Sequence, residues 1–281
     1  MTATVSAPAS SGNIGPGFDI LALALDLRCT VSATRAVEWS VSHASGFRPE
    51  NGQEDMTLSA AKAMSAEPLA LAVSTEVPLG KGLGSSSAAA AAGAAAALKA
   101  TTGSIDVDRV YDYVAENEGH PDNAAAAVFG GLVGVTPDGV PVQLPLALRW
   151  RIVVAIPDYQ LPTAEARAVL DDSIPRPTVV SSLARFMALL EGLRTGDEAV
   201  LSAAVGDELH EAPRAGLNPA AGALINAARE AGAAHAAWSG AGPSVIAFVD
   251  SADVSDVATA LRATMGAGEV RVMDVSEDGL R

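Results

Sequence analysis

The segment Pro78-Leu79-Gly80-Lys81-Gly82-Leu83-Gly84-Ser85-Ser86-Ser87 runs straight into an alanine-rich stretch that ends near Leu98. Glycines let a backbone curl and approach a ligand with no Cβ in the way. The first turn of the helix that follows offers unpaired N–H groups and the positive end of the helix dipole. Serines there can cap the helix, donate to phosphate oxygens or reach a phosphate-bound Mg²⁺. The ligand predicted by Pro78, Gly80, Lys81, Gly82, Leu83, Gly84, Ser85, Ser86 and Ser87 is a nucleotide phosphate. A capped core helix behind a turn is the plainer explanation, but it needs neither the glycines nor the serine run. A second cluster, Glu118-Gly119-His120-Pro121-Asp122-Asn123, is poor material for a helix or a core and reads as a site. Mg²⁺ takes one or two carboxylates and lets substrate phosphates fill the rest of its shell, so a carboxylate here is an expected ligand. Two more loops stand out: Ala7–Asp19, punctuated by Gly, Pro, Ser and Asn after a strand, and the glycine turn Ser239-Gly240-Ala241-Gly242-Pro243-Ser244.

The phosphate loop is neither of two common kinds. A Walker A loop places its lysine just before Ser/Thr, whereas Lys81 sits among the glycines. The dinucleotide fingerprint Gly-x-Gly-x-x-Gly also fails. The string from Pro78 to Ala88 instead resembles the signature of the GHMP kinases, small-molecule kinases with a glycine-rich ATP loop. The Ala7–Asp19 string resembles the opening of the homoserine kinase branch, with Gly12 where the family has alanine. Glu118–Asn123 resembles its Glu-Gly-His-Pro-Asp-Asn motif, and Ser239–Ser244 resembles the third GHMP motif, so Gly240 and Gly242 join the ATP-binding set. Thr163-x-x-Ala-Arg167 and Leu209-His-Glu-Ala-Pro-Arg214 resemble two further segments of that branch.

That resemblance implies roles. Glu118 binds Mg²⁺ with a loop serine, Ser86 by preference. Asn13, Asp19, His120, Asp122, Thr163, Arg167 and Arg214 line the pocket for L-homoserine, with the two arginines clamping its α-carboxylate. Asp122, Asn123 and Arg167 stand at catalytic positions. His120 fits equally well as a loop histidine bonded to a carbonyl. Surface ion pairs are the plainer explanation of the two arginines, and the resemblance favours the clamp over it. Related mevalonate kinases pair an aspartate base with an N-terminal lysine. This chain has no lysine before Lys62, so the base stays open. The string Asp55-Met56-Thr57-Leu58 departs from the family near the adenine, and Trp39 is a candidate there that hairpin packing would also explain. The alternatives are a GHMP kinase for another alcohol, such as shikimate or mevalonate, and a catalytically silent ligand-binding protein of the same fold.

The chain has 281 residues, enough for one large or two intimate domains with an ample core. No segment reaches the roughly 18–20 apolar residues of a membrane span, and the N-terminus lacks the basic region of a signal peptide. One cysteine, Cys29, rules out an internal disulfide. Thirty-three acidic residues against 18 basic ones give a net charge of −15, which disfavours nucleic acid and anionic membranes as partners. High acidity with few lysines is similar to the proteins of salt-in halophiles, and a halophilic archaeon is the expected source. The cytoplasm is the expected location and a homodimer is an allowed assembly.

Periodicity predicts strands at 4–8, 21–34, 70–76, 130–135, 151–156, 235–238, 245–249 and 269–275. Residues 35–50 read as polar and hairpin-like. Helices are expected at 55–64, 86–100, 106–118 with Asp106 or Ser104 as cap, 163–170, 179–195, 197–210, 218–231 and 253–265. Residues 123–127 are short and apolar, and the proline-rich 137–148 reads as a crossing between halves. The order of elements points to an α+β protein, an α/β two-layer sandwich with a split βαβ C-terminal half. The resemblance implies the GHMP kinase fold: an ATP-binding domain, residues 1–148, with an N-terminal half like ribosomal protein S5, and a ferredoxin-like C-terminal domain, residues 149–281.

Overall fold

A computed structural model describes residues 2–44 and 54–281. The first layer begins with two long antiparallel strands, β1 (Thr2–Asn13) and β2 (Gly17–Arg35). Then come β3 (Ser40–His43), α1 (Met56–Met64), β4 (Leu69–Thr75), α2 (Ser85–Thr102), α3 (Val107–Glu118), α4 (Asp122–Phe129), β5 (Leu132–Val135) and β6 (Pro141–Leu144). The sheet runs β3-β4-β2-β5-β6, with β1 paired to β2. The second layer comprises β7 (Trp150–Pro157), α5 (Thr163–Ala168), α6 (Arg176–Thr195), α7 (Glu198–Ser202), α8 (Glu211–Arg214), α9 (Pro219–Glu230), β8 (Ala233–Trp238), β9 (Val245–Asp250), α10 (Val254–Met265) and β10 (Gly268–Met273). Its antiparallel sheet, β10-β7-β9-β8, has the ferredoxin-like order.

Several expectations are corrected. The segment 7–13, read as a loop, is strand: Ala7 to Asn13 are all buried, so no alternation betrays them. Residues 40–43 form no hairpin with β2, because β3 runs parallel to β4; residues 45–50 of that reading lie outside the described residues. The crossing at 137–148 contains the strand β6. The expected helix 197–210 stops at Ser202.

Helix α2 shows how the first layer packs. Its alanines are mostly buried, and their small side chains let it lie close to β1, β2 and α1. At Gly93 the approach is closest: an added Cβ would stand 2.5 Å from the Thr57 carbonyl oxygen of α1. Asp55 caps α1 by accepting from the Thr57 and Leu58 amides, and Asp106 caps α3 by accepting from Arg109 N. One core runs through both sheets, taking Leu23 and Leu25 from β2 with Ile152 and Phe248 from β7 and β9. After β10 the chain returns to the first sheet, where Val275 bridges Leu25 and the Arg28 guanidinium donates to Ser276 Oγ and Gly279 O. Among the described residues no helix is long and apolar enough to cross a membrane.

Candidate active site

A cavity of about 390 Å³ opens where the loop before α2, the β1–β2 turn, the α3–α4 junction, α5 and the Ser239–Ser244 turn meet. Gly80, Gly82, Leu83, Gly84 and Ser85–Ser87 line it. So do Asn13, Asp19, Glu118, His120, Asp122, Asn123, Thr163, Arg167, Arg214 and Gly240. Three expected residues do not. Pro78 and Gly242 stand behind the lining, and Lys81 turns away, its ammonium donating to Pro157 O (2.7 Å) and Tyr159 O (2.9 Å). Burial lowers the Lys81 pKa, and the side chain acts as a strut between the layers.

The glycines of the loop have a packing reason as well as a ligand reason. At Gly82 (φ +73°) an added Cβ would stand 2.1 Å from Ser239 O. At Gly84 (φ +65°) it would stand 2.0 Å from Ser10 Oγ. Hydrogen bonds hold the loop in place from Ser10 N to Leu83 O, from Ser239 Oγ to Gly82 O and from Leu161 N to Gly80 O. Gly84 is the N-cap of α2 and no side chain caps that end, so its first amides stay open toward the cavity.

The serines do not cap α2, as the sequence reading allowed. Ser86 Oγ donates to Glu118 Oε1 (2.6 Å) and Ser87 Oγ to Glu118 Oε2 (2.5 Å), reaching across 32 and 31 residues. Burial raises the Glu118 pKa against the opposing pull of both serine bonds. Among the described residues no group of three or more His, Cys, Asp or Glu could hold a metal. The donor set is therefore a single carboxylate with hydroxyls, all hard oxygens, and a cation there needs phosphate oxygens to complete its shell. That fits Mg²⁺.

Helix α4 corrects the view that 118–123 resists helix and core: Asp122 is its first residue and is buried. His120 Nδ1 lies 3.2 Å from Asp122 Oδ1. Burial pulls the His120 pKa down, but the Asp122 hydrogen bond and charge, with Glu118 beyond, outweigh it and the pKa stands raised. Asn123 Oδ1 accepts from Ser10 Oγ (2.8 Å).

The β1–β2 turn is conformationally costly. Asn13 (φ +68°), Ile14 (φ +52°) and Asp19 (φ +60°) all occupy the left-handed region, which non-glycine residues rarely adopt. Asn13 is itself committed: Nδ2 donates to Gly240 O and Oδ1 accepts from Asp19 N. Asp19 receives a two-pronged ion pair from Arg167, at 2.6 and 3.1 Å. Arg214 is buried, with Nε on Ala166 O, and its pKa is lowered to about 10 by burial and by the charge of Arg167. Both guanidiniums lie over the Phe18 ring, at 5.7 and 5.5 Å.

Sequence reasoning missed Ser10, Phe18 and His210, although all three fall inside segments it quoted. It also missed Met56, Asn117, Leu161, Pro162 and Ala241, which line the cavity with no chemical signature of their own. Trp39 is half-buried and packs on the core shared by the two sheets.

Residues 55–131 match the GHMP kinases N terminal domain and residues 189–267 match the GHMP kinases C terminal. A homoserine kinase of Deinococcus radiodurans is 38% identical over 258 residues, covering 88% of this chain and 84% of that protein. One from Thermus thermophilus is 36% identical over 279 residues, covering 96% and 95%. The crystal structure of homoserine kinase from Cytophaga hutchinsonii superposes with a TM-score of 0.88 at 25% identity, covering 100% of this chain and 96% of that one.

Proposed function

The chain belongs to the GHMP kinase family, and from that premise we propose that it transfers the γ-phosphoryl group of ATP to the side-chain hydroxyl of L-homoserine. The products are ADP and O-phospho-L-homoserine, a step of threonine biosynthesis. The observation that carries the reading is that one cavity is lined both by the glycine loop with Glu118 and by two guanidiniums with two carboxylates. A triphosphate needs the first set, and a zwitterionic amino acid needs the second.

Phosphoryl transfer depends mainly on positioning and on electrostatics. The amides of the loop and of the first turn of α2 take the phosphates. Glu118 with Ser86 would hold Mg²⁺, which when bound neutralises charge on the phosphate oxygens. Arg167 and Arg214 take the acceptor's carboxylate, and Asp19 with Asp122 faces its ammonium, Arg167 trading part of its Asp19 pairing on the way. Asn13, His120, Thr163 and Asn123 complete the acceptor wall. Asp122→Asn is expected to raise the homoserine KM at least as much as it lowers kcat; a loss confined to kcat would make Asp122 the base instead.

The division into an ATP-binding part, 1–148, and a second part, 149–281, belongs to the same proposal, as does a cytoplasmic location. A homodimer is supported by the exposed apolar row Val180, Leu183 and Met187 on α6, and sedimentation velocity tests it. A salt-adapted, halophilic origin is supported by the acidic surface alone. The deciding experiment measures ADP release with Mg·ATP in molar KCl, comparing L-homoserine, shikimate, mevalonate and no acceptor. Turnover on homoserine alone, with phosphate on its side-chain oxygen, is expected. Turnover on another alcohol would keep the kinase and discard the roles of Arg167 and Arg214.

A further inference from the structure

His210 is fully buried beneath the acceptor side of the cavity, and the mechanism above makes no use of it. Its Nε2 lies 2.8 Å from Gly15 O, and a carbonyl only accepts, so Nε2 carries the proton. Its Nδ1 lies 3.1 Å from an Arg214 terminal nitrogen, and arginine only donates, so Nδ1 is bare. The two contacts together admit one state, the neutral ring protonated on Nε2. The ring also stacks on Phe18 at 5.1 Å, under the aromatic face that both arginines share. Burial depresses the His210 pKa to about 4, which keeps that state through neutral pH.

A second histidine supplies the contrast. His235 Nε2 lies 3.1 Å from Ile14 O, the preceding carbonyl of the same turn, yet its Nδ1 is buried and has no hydrogen-bond partner. Both rings brace the left-handed turn. Of the two, His210 also grips a group that faces the cavity.

We propose that His210 is a positioning residue for the acceptor site: one neutral tautomer ties the turn that carries Asn13 and Asp19 to the guanidinium of Arg214. The inference rests on reading Arg214 as a holder of the acceptor's carboxylate. Movement of the turn then moves Arg214, so the groups for the two ends of a zwitterion keep their spacing.

Two conservative variants separate the halves of the link. His210→Gln retains a donor toward Gly15 O and loses the acceptor for Arg214. His210→Asn retains an acceptor near Nδ1 and loses the donor. Kinetics would use L-homoserine and 3-amino-1-propanol, which has the same hydroxyl and ammonium but no carboxylate. In His210→Gln the homoserine KM is expected to rise about tenfold or more, with the Mg·ATP KM within about twofold. Its preference for homoserine over aminopropanol should shrink by about the same factor, while His210→Asn keeps more of that preference. Parallel rises in both KM values, or an undiminished preference in His210→Gln, would overturn the inference alone. Equal use of both acceptors by the unsubstituted enzyme would overturn the carboxylate reading itself.

Long-range ¹H–¹⁵N spectra of the unsubstituted protein decide the matter if neither variant folds. With four histidines in the chain the assignment is tractable. An Nε2–H tautomer whose Nδ1 resonance moves on homoserine addition, while that of His235 does not, supports the link. An Nδ1–H tautomer, an imidazolium at pH 7, or an unmoved Nδ1 resonance overturns it.

Discussion

At Gly12 an added Cβ would stand 2.7 Å from Asp122 Oδ2 and 2.8 Å from Asn123 Nδ2. The missing methyl group lets both side chains sit against β1. Gly12→Ala should fold, because those side chains can swing away. The homoserine KM is then expected to rise about three- to tenfold with the Mg·ATP KM unchanged, since small displacements of positioning groups are costly. Steady-state kinetics on both substrates checks it. Glu211 gives a pH prediction. Its carboxylate accepts from Trp238 N (2.8 Å), and burial raises its pKa from 4.5 to about 7. The folded state thus holds a proton that the unfolded chain has released, and its stability falls as pH rises from 4.5 to 7. Glu211→Gln should therefore gain stability relative to the parent between pH 5 and pH 8, on the order of 1–3 kcal/mol, in urea titrations at both pH values. His210 and His235, each held near 4, act in the opposite sense: their contribution is present above the unfolded pKa of 6.5 and is lost as pH falls toward 4. The chemistry-bearing residues were largely legible, because Glu118, Asp122, Arg167 and Arg214 sit in motifs with few other uses. His210 was not, since a buried histidine announces nothing until its two partners, 195 residues and 4 residues away, are known.

Helix α2 carries the clearest consequence at the scale of elements. Alanine exceeds glycine in helix propensity by about 1 kcal/mol, so propensity alone favours Gly93→Ala. The Thr57 backbone stands in the way, and overpacking of that kind costs about 1–3 kcal/mol. A net loss is expected, seen as a Tm lowered by a few degrees with both KM values intact. Thermal denaturation paired with kinetics checks it. Periodicity found α1, α3 and β4 nearly to their ends because each has one wet face and, for the helices, an aspartate cap. It lost the end of β1, buried throughout from Ala7, because alternation vanishes when both faces are covered. The serines teach a related lesson. Hydroxyls next to a helix start can cap it, meet a phosphate or join a metal site. The family resemblance pairs Ser86 with Glu118, and the bond across 32 residues brings those two together, whereas nothing local singles out Ser87.

For the whole molecule, the net charge of −15 means mutual repulsion among carboxylates at low ionic strength. Screening relieves it, so Tm should climb by several degrees between about 10 mM and 500 mM salt, alike for NaCl and KCl. A flat profile would show the acidic residues to be spaced widely enough not to interact. Composition could foresee the acidic surface, and the order of elements the two-layer class, but neither could foresee that the chain returns after β10 to pair with β2. Nor could either foresee how the glycine loop is fastened. Lys81, Gly80 and Gly82 are bound to Pro157, Tyr159, Leu161 and Ser239, all from the second layer. A nucleotide seated on that loop therefore loads a joint as well as a pocket. Its binding free energy opposes every opening motion that parts the layers, and amides on β7 and β8 far from any phosphate will exchange with deuterium more slowly when it is present.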